Sequence, residues 1–261
     1  MDEILLTIDK FIEKMKYKEN EHVLGIFFYG SYLTGFYNED SDIDLHVIFD
    51  NSNPERLYRG QTMYIDDKRI EYFEKPIGDI YLSVDNDYLR QNNALFSIIG
   101  TSKIIFDKTG ALKKLQEYAY EKFINGLPPL GEDDARESVS ILNNRMLKLR
   151  KAAKDNSLDF RHLYHLTIEK IRKFYHRLNG FPEVPTTKVL KVYTDEEYRK
   201  SFYKDAIPEE EFIQMYINVI NNDCSNVMES LQLVEELYNY AKRNVDLDEK
   251  EHRILIRSRN K

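Results

Sequence analysis

The stretch from Val23 to Phe49 does most to limit what this chain can fold into. Val23–Tyr29 is a dense apolar run of strand length, with no charged residue to mark an exposed face, so it reads as a buried strand. It ends at Gly30-Ser31. Ten residues on, Asp42-Ile43-Asp44 opens a second segment that alternates carboxylate and apolar residues and runs to Phe49. Alternate residues of a strand share a face, so this pattern predicts a strand with one functional side. The ten-residue gap leaves room for one or two helical turns to about Tyr37 and a polar turn at Asn38-Glu39-Asp40-Ser41. That length brings the second strand back beside the first.

Asp42 and Asp44 then lie on one face, about 6.6 Å apart by strand rise. Two carboxylates so placed repel each other, and burying them unpaired is costly. A divalent cation removes the problem. Magnesium prefers oxygen ligands and keeps water and substrate phosphates in its shell, for which two strand carboxylates leave positions open. Gly30 lets backbone approach a ligand closely. If Ser31 starts a helix, its N–H groups favour a phosphate there and its hydroxyl adds a donor. Ser41, just before the first carboxylate, offers a second hydroxyl.

Gln61–Ile65 and Arg69–Phe73 read as two strands of a hairpin around Asp66-Asp67-Lys68. Glu71, flanked by Ile70 and Tyr72, is the candidate third carboxylate, as a further metal ligand or as a general base for an incoming hydroxyl. The plain alternative is a surface residue paired with Lys68 or Arg69. Glu74 is the competitor, but it falls on the opposite strand face. His46 shares the face of Asp42 and Asp44 by parity and is read as packing within the sheet.

Helical periodicity marks Ile4, Leu5, Ile8, Phe11, Ile12 and Met15 as one face of a first helix. Pro76 suits the first turn of another helix. Lys103–Phe106 reads as a short strand, and a helix follows from about Ala111 to Phe123. Asn125-Gly126-Leu127-Pro128-Pro129-Leu130-Gly131 cannot continue a helix. The predicted organisation is therefore a mixed α and β domain over 1–125 and an all-α domain over 126–261. Within the second half, Val139, Leu142, Met146 and Leu149 mark one helix, beginning near Glu132. Leu163, Leu166, Ile171 and Phe174 mark a second, ending before Asn179-Gly180. Phe212, Met215, Tyr216, Val219 and Ile220 mark a third, and Val227, Leu231, Val234, Leu237 and Tyr238 a last one. The segment 51–59 reads as loop or short helix, and the tail from Asp246 as a charged end. His162, His165 and His176 are read as ordinary helix residues, because the last two lie roughly 16 Å apart along a helix, too far for one zinc site.

Gly30-Ser31, ten residues, Asp42-Ile43-Asp44, with Glu71 on a later strand, resembles the nucleotidyltransferase (polymerase-beta-like) superfamily over about residues 22–75. Within it, the size and the helical second half resemble bacterial streptomycin/spectinomycin-type aminoglycoside adenylyltransferases. Leu166–Arg172, Gly180 and Thr187-Lys188 resemble those enzymes' helix–turn–lysine segment. The resemblance implies that Lys188 contacts nucleotide phosphates, with Arg172 a weaker candidate because its spacing to Lys188 is longer here. It also implies the chemistry. A hydroxyl of a small molecule attacks the α-phosphate of ATP with Mg2+ at Asp42 and Asp44, AMP is transferred, and pyrophosphate leaves.

The chain has 261 residues, 42% of them hydrophobic, enough for a sizeable core. Its formal charge of −7 and the lack of a basic–aromatic track argue against a nucleic-acid partner. No run approaches the roughly 18–20 apolar residues of a membrane span, and the acidic Met1-Asp2-Glu3 start lacks the basic region of a secretory signal. The single cysteine, Cys224, fits a cytoplasmic protein. A monomer or homodimer is expected. Two other functions fit the same motifs: antitoxin-like transfer of AMP to a partner protein, and a nucleotide-binding module without turnover.

Overall fold

The computed structural model describes residues 2–52, 59–89, 94–202 and 207–245. The loop reading for 53–58 and the tail reading for 246–261 lie outside the described residues. The chain divides into two compact units, one of Met1–Leu127 with Asp195–Asp205, the other of Pro128–Thr194 with Ala206–Lys261.

The first unit runs α1 (Asp2–Met15), β1 (Val23–Tyr29), α2 (Ser31–Thr34), β2 (Ile43–Phe49), β3 (Arg59–Ile65), β4 (Lys68–Pro76), α3 (Ile77–Leu89), α4 (Ala94–Thr101), β5 (Lys103–Asp107) and α5 (Ala111–Asn125). The strands form one mixed sheet in the order β3-β4-β2-β1-β5. β2 and β4 are parallel, and the other neighbours are antiparallel. Both hairpin turn residues, Asp66 and Asp67, have positive φ (47° and 63°). Two such residues give the turn twist that matches flanking antiparallel strands.

The sheet is buried on both faces, which is why β1 and β2 read as near-continuous apolar runs. On one face Ile8, Phe11 and Ile12 of α1 pack on Ile26, Phe28, Leu45, Val47, Ile70 and Tyr72. On the other, Phe27 and Ile48 meet Ile80 and Val84 of α3, Phe96 and Ile99 of α4, and Leu112 and Leu115 of α5. Each fully buried side chain of this size contributes about 1.5–3 kcal/mol. α4 carries no periodic signal because it is apolar on almost every side, so its sequence, ALFSIIGT, offers no face to detect. It crosses α5 at backbone contact, where a Cβ on Gly100 would lie 2.9 Å from Tyr120 Cα. Pro76 closes β4 rather than opening a helix, and α3 begins at the next residue.

The second unit is helical. It contains α6 (Glu132–Lys154), α7 (Phe160–Leu178), α8 (Val189–Thr194), α10 (Glu210–Ile220) and α11 (Val227–Lys242). α9 (Glu196–Phe202) groups with the first unit, where Tyr198 packs edge-on to Phe36 at 5.2 Å. The buried stripe of α7 differs from the leucine pattern. Leu163 is half-buried and Leu166 exposed, while Phe160, Tyr164, Thr167, Ile168, Ile171 and Arg172 face inward. Two polar members of that stripe are buried with bonds made: the Tyr164 hydroxyl donates to the Val219 carbonyl at 2.7 Å, and Thr167 to the Leu163 carbonyl at 2.7 Å. The first unit is thus a mixed-sheet α/β part and the second is helical.

Candidate active site

The carboxylates meet because strand register brings them into one row. Tyr29 on β1 pairs with Asp44 on β2, Asp44 with Glu71 on β4, and Glu71 with Thr62 on β3. Ile43 pairs with Ile70, so one step back Asp42 and Arg69 take the next place on the same face. The row lies on the face that the α3–α5 side chains cover farther along, around Phe27 and Ile48. Asp42, Asp44 and Glu71 each offer a carboxylate oxygen within 4.8 Å of the others, and all three are half-buried. Among the described residues this is the only cluster of His, Cys, Asp or Glu that could hold a metal ion. The donors are carboxylate oxygens alone, a hard set that suits a divalent cation such as magnesium rather than a thiolate-seeking metal.

Gly30 completes the row's floor. Its φ is +86°, a conformation L side chains rarely adopt, and a Cβ there would lie 2.0 Å from Asp44 Oδ2. Ser31 begins the single turn of α2. The Ser41 hydroxyl is tied into the preceding turn, accepting from the Asn38 N–H at 2.9 Å and donating to Asn38 Oδ1 at 3.1 Å.

Electrostatics set Asp42 apart from Glu71. The Arg69 guanidinium donates from Nη2 to Asp42 Oδ2 at 2.6 Å and lies 4.0 Å from Glu71 Oε2. Burial alone would raise the Asp42 pKa, but hydrogen bonds with Arg69 and Glu71 outweigh it and hold that carboxyl below its usual range. Its hydrogen bond to Asp42, then burial, push Glu71 up. Burial, then Asp44, Glu71 and Asp42, keep the Tyr29 phenol protonated.

His46 is not part of the metal cluster. It stacks on Tyr29 with centroids 4.9 Å apart and touches Phe73 at 5.4 Å. Burial, then Lys75, pull its pKa down to about 3, so it is a neutral packing residue. Glu74 lies on the other face, where it is buried and accepts from the Tyr17 hydroxyl at 2.6 Å. Lys188 belongs to the second unit, exposed in the turn before α8, with its N–H on the Pro185 carbonyl at 2.8 Å. Arg172 is fully buried, donating from Nη2 to Glu169 Oε2 at 2.9 Å and to the Val184 carbonyl at 3.0 Å. His176 bridges the Pro182 carbonyl and the Tyr193 hydroxyl, both at 2.6 Å.

Three residues of the row are not singled out by the sequence: Tyr29, which reads only as the end of a strand, Thr62, which reads only as part of one, and Arg69, which reads only as a partner for Glu71. Strand parity with Glu71 was the available signal for Arg69. A cleft of about 700 Å3 opens elsewhere on this unit, lined by Glu3, Tyr32, Tyr37, Glu39 and Lys68 among others. None of the three carboxylates lines it, so it is not the site built by the strand row.

A mixed sheet that gathers strand carboxylates beside a Gly-Ser turn defines a class of enzymes that move nucleotidyl groups. Residues 8–107 match the family model described as a nucleotidyltransferase domain. The chain is 30% identical over 143 residues to a Methanocaldococcus jannaschii protein described as "Putative protein adenylyltransferase MJ1305", a match spanning 52% of this chain and 95% of that one. It also resembles the crystal structure of a nucleotidyltransferase-like protein from Exiguobacterium sibiricum 255-15, with a TM-score of 0.50 and 12% identity over 92% of this chain and 74% of the other, a likeness of fold alone. The chain belongs to the nucleotidyltransferase family, and it is a nucleotidyltransferase. Among the described residues, no helix is long and apolar enough to cross a membrane.

Proposed function

We propose that the protein transfers AMP from ATP to a hydroxyl of a small molecule, of the aminoglycoside type, with Mg2+ as the cation. The convergence of Asp42, Asp44 and Glu71 within 4.8 Å carries this reading. A bound magnesium ion would offset phosphate charge and align the attack. Asp42 and Asp44 would hold it. Glu71, farther from Arg69 than Asp42 is, would complete the shell or take the acceptor's proton. Gly30 and Ser31 would cradle the phosphates on backbone N–H groups, with Ser41 adding a donor once released from Asn38. Lys188 is assigned to the phosphates on the resemblance of its segment alone. In the reaction the acceptor oxygen bonds to the α-phosphorus, the bond to the bridging oxygen breaks, and pyrophosphate leaves with the electron pair. A reducing cytoplasm is the proposed compartment, on the single cysteine.

The helical unit that follows the carboxylate-bearing sheet supports a small acceptor, since it supplies a second set of side chains from which an acceptor pocket could be shaped. The assay is pyrophosphate release from ATP and magnesium with a panel of aminoglycoside-type and other hydroxylated compounds. Release stimulated by one of them is expected, and its absence with every acceptor overturns the small-molecule reading. The likeness to a protein described as a protein adenylyltransferase favours a second reading, in which the acceptor is a protein hydroxyl. AMP found by mass spectrometry on a tyrosine of a co-expressed partner, with no small acceptor active, selects it.

A further inference from the structure

Around the proposed metal site, side chains at adjacent cross-strand places carry opposite tasks. Asp44 pairs with Glu71, and two residues back the same register sets Asp42 beside Arg69. Three carboxylates and one guanidinium therefore share a patch of sheet two residues deep and two strands wide. The guanidinium is committed to Asp42 at 2.6 Å. It is also poorly enclosed. The Arg69 side chain is 47% exposed against 22% for Asp42, and its cross-strand neighbour on the far side, Tyr64, is itself exposed.

We propose that Arg69 is an internal counter-cation, which holds Asp42 while the cluster carries no metal, gives it up when a divalent cation binds, and then turns its guanidinium to the phosphates of the nucleotide. This rests on the reading of Asp42, Asp44 and Glu71 as metal ligands. Charge gives the reason for each step. Without a cation, three acids this close repel, and one positive group on Asp42 relieves part of that repulsion. A divalent cation competes for the same oxygens, so part of its binding energy goes into displacing Arg69. Once it is bound, three negative carboxylates and one dication leave the cluster with one net negative charge, which repels a triphosphate. A guanidinium kept beside it brings the balance to zero and offers a planar pair of donors that fits phosphate oxygens. The exposed side of Arg69 gives it the freedom to make that change.

The proposal demands opposite effects on two affinities, which a salt bridge that merely braces the sheet would not produce. A bracing residue, once removed, would weaken cation binding by letting Asp42 wander. The experiment uses the full-length protein with Arg69→Gln, Arg69→Lys and Asp44→Asn, each checked for folding by circular dichroism. Titration with Mn2+ or Mg2+ alone is followed by titration with a non-hydrolysable ATP analogue at saturating magnesium. For Arg69→Gln the cation alone should bind on the order of threefold to tenfold tighter, and the analogue weaker by a similar factor. Arg69→Lys should fall between Arg69→Gln and wild type on both. Unchanged or weaker cation binding in folded Arg69→Gln, with Asp44→Asn binding lost, overturns the role of Arg69 and leaves the metal site standing. So does unchanged analogue affinity. Cation binding in Asp44→Asn equal to wild type overturns the metal site and the role of Arg69 with it.

Discussion

Asp44 Oδ2 occupies the space that a side chain on Gly30 would need: a Cβ built on Gly30 falls 2.0 Å from it. Gly30→Ala would therefore act twice, straining a backbone at φ +86° and pushing Asp44 out of the carboxylate row. With ψ at −162° this is a region nearly reserved for glycine, and the strain should cost about 1–3 kcal/mol of stability. Activity should fall far more, by roughly a hundredfold or greater, because a displacement of about 1 Å at a reacting centre costs that much. Gly35→Ala is the internal control. Gly35 has nearly the same φ, +84°, with nothing within 4 Å of an added Cβ. Thermal unfolding should shift less for Gly35→Ala, because its ψ of −1° lies in the left-handed helical region while the ψ of −162° at Gly30 lies where almost only glycine is found, and pyrophosphate release should collapse only for Gly30→Ala.

Glu71 and Glu74 separate chemistry from folding, because β4 presents them to opposite faces. Glu71→Gln removes one of three clustered negative charges, so the protein should be as stable as wild type or more so, with turnover down by orders of magnitude. Tyr17→Phe strips the buried Glu74 carboxylate of its 2.6 Å donor and should cost about 1–3 kcal/mol while turnover of the folded fraction is kept. Urea unfolding read beside initial rates checks both. A Tyr17→Phe protein that is fully stable but slow would reverse the assignment of the two faces.

Much of this site was legible because strand parity is a strict rule. Asp42 and Asp44 had to share a face, and Glu71 and Glu74 could not. The pairing of Asp44 with Glu71 was not legible, since register between strands separated by a hairpin depends on packing that no local pattern reports. Arg69 was seen only as a neighbour of Glu71 for the same reason: its partner Asp42 is 27 positions away. In the helical unit, apolar counting misplaced the α7 stripe, favouring Leu163 and Leu166 over Tyr164, Thr167 and Arg172. Tyr164 and Arg172 each reach a carbonyl outside their own helix, Val219 and Val184, while Thr167 returns its hydroxyl to Leu163 one turn back. A local sequence window contains no trace of the Val219 or Val184 partner.

His176 makes the helical unit sensitive to acid. Burial, then Arg172, hold its pKa down to about 3 from an ordinary 6.5. Below pH 6.5 the unfolded chain binds a proton that the folded unit refuses, so its stability rises with pH between about 3 and 6.5 and is fully present above 6.5. The slope in that window should approach roughly 1.4 kcal/mol per pH unit for this one group. His176→Gln should lose part of the neutral-pH stability but flatten the profile. Denaturant unfolding of both proteins at pH 7.5, 6 and 5 measures it, and parallel profiles would mean that His176 titrates normally in the folded state.

Arg172 invites a different reading from the one its sequence neighbourhood suggests. Its side chain is fully buried, and its guanidinium ties Glu169 on its own helix to the Val184 carbonyl in the segment that leads to Lys188. Glu169 in turn accepts from the Tyr216 hydroxyl at 2.7 Å and from Thr186 at 2.9 Å. Arg172→Met keeps much of the volume but leaves Glu169 partly buried without its counter-charge, which should cost about 3–5 kcal/mol. Removing both charges together, Arg172→Met with Glu169→Gln, should recover part of that loss, since the uncompensated carboxylate is gone. A phosphate ligand would behave otherwise: the single variant would keep its melting temperature and lose affinity for the ATP analogue. Melting temperature and analogue affinity measured on the same preparations distinguish the two roles. The expected result is a lower melting temperature for the single variant, partial rescue in the double, and analogue affinity in the folded fraction within about threefold of wild type, a change of less than 1 kcal/mol.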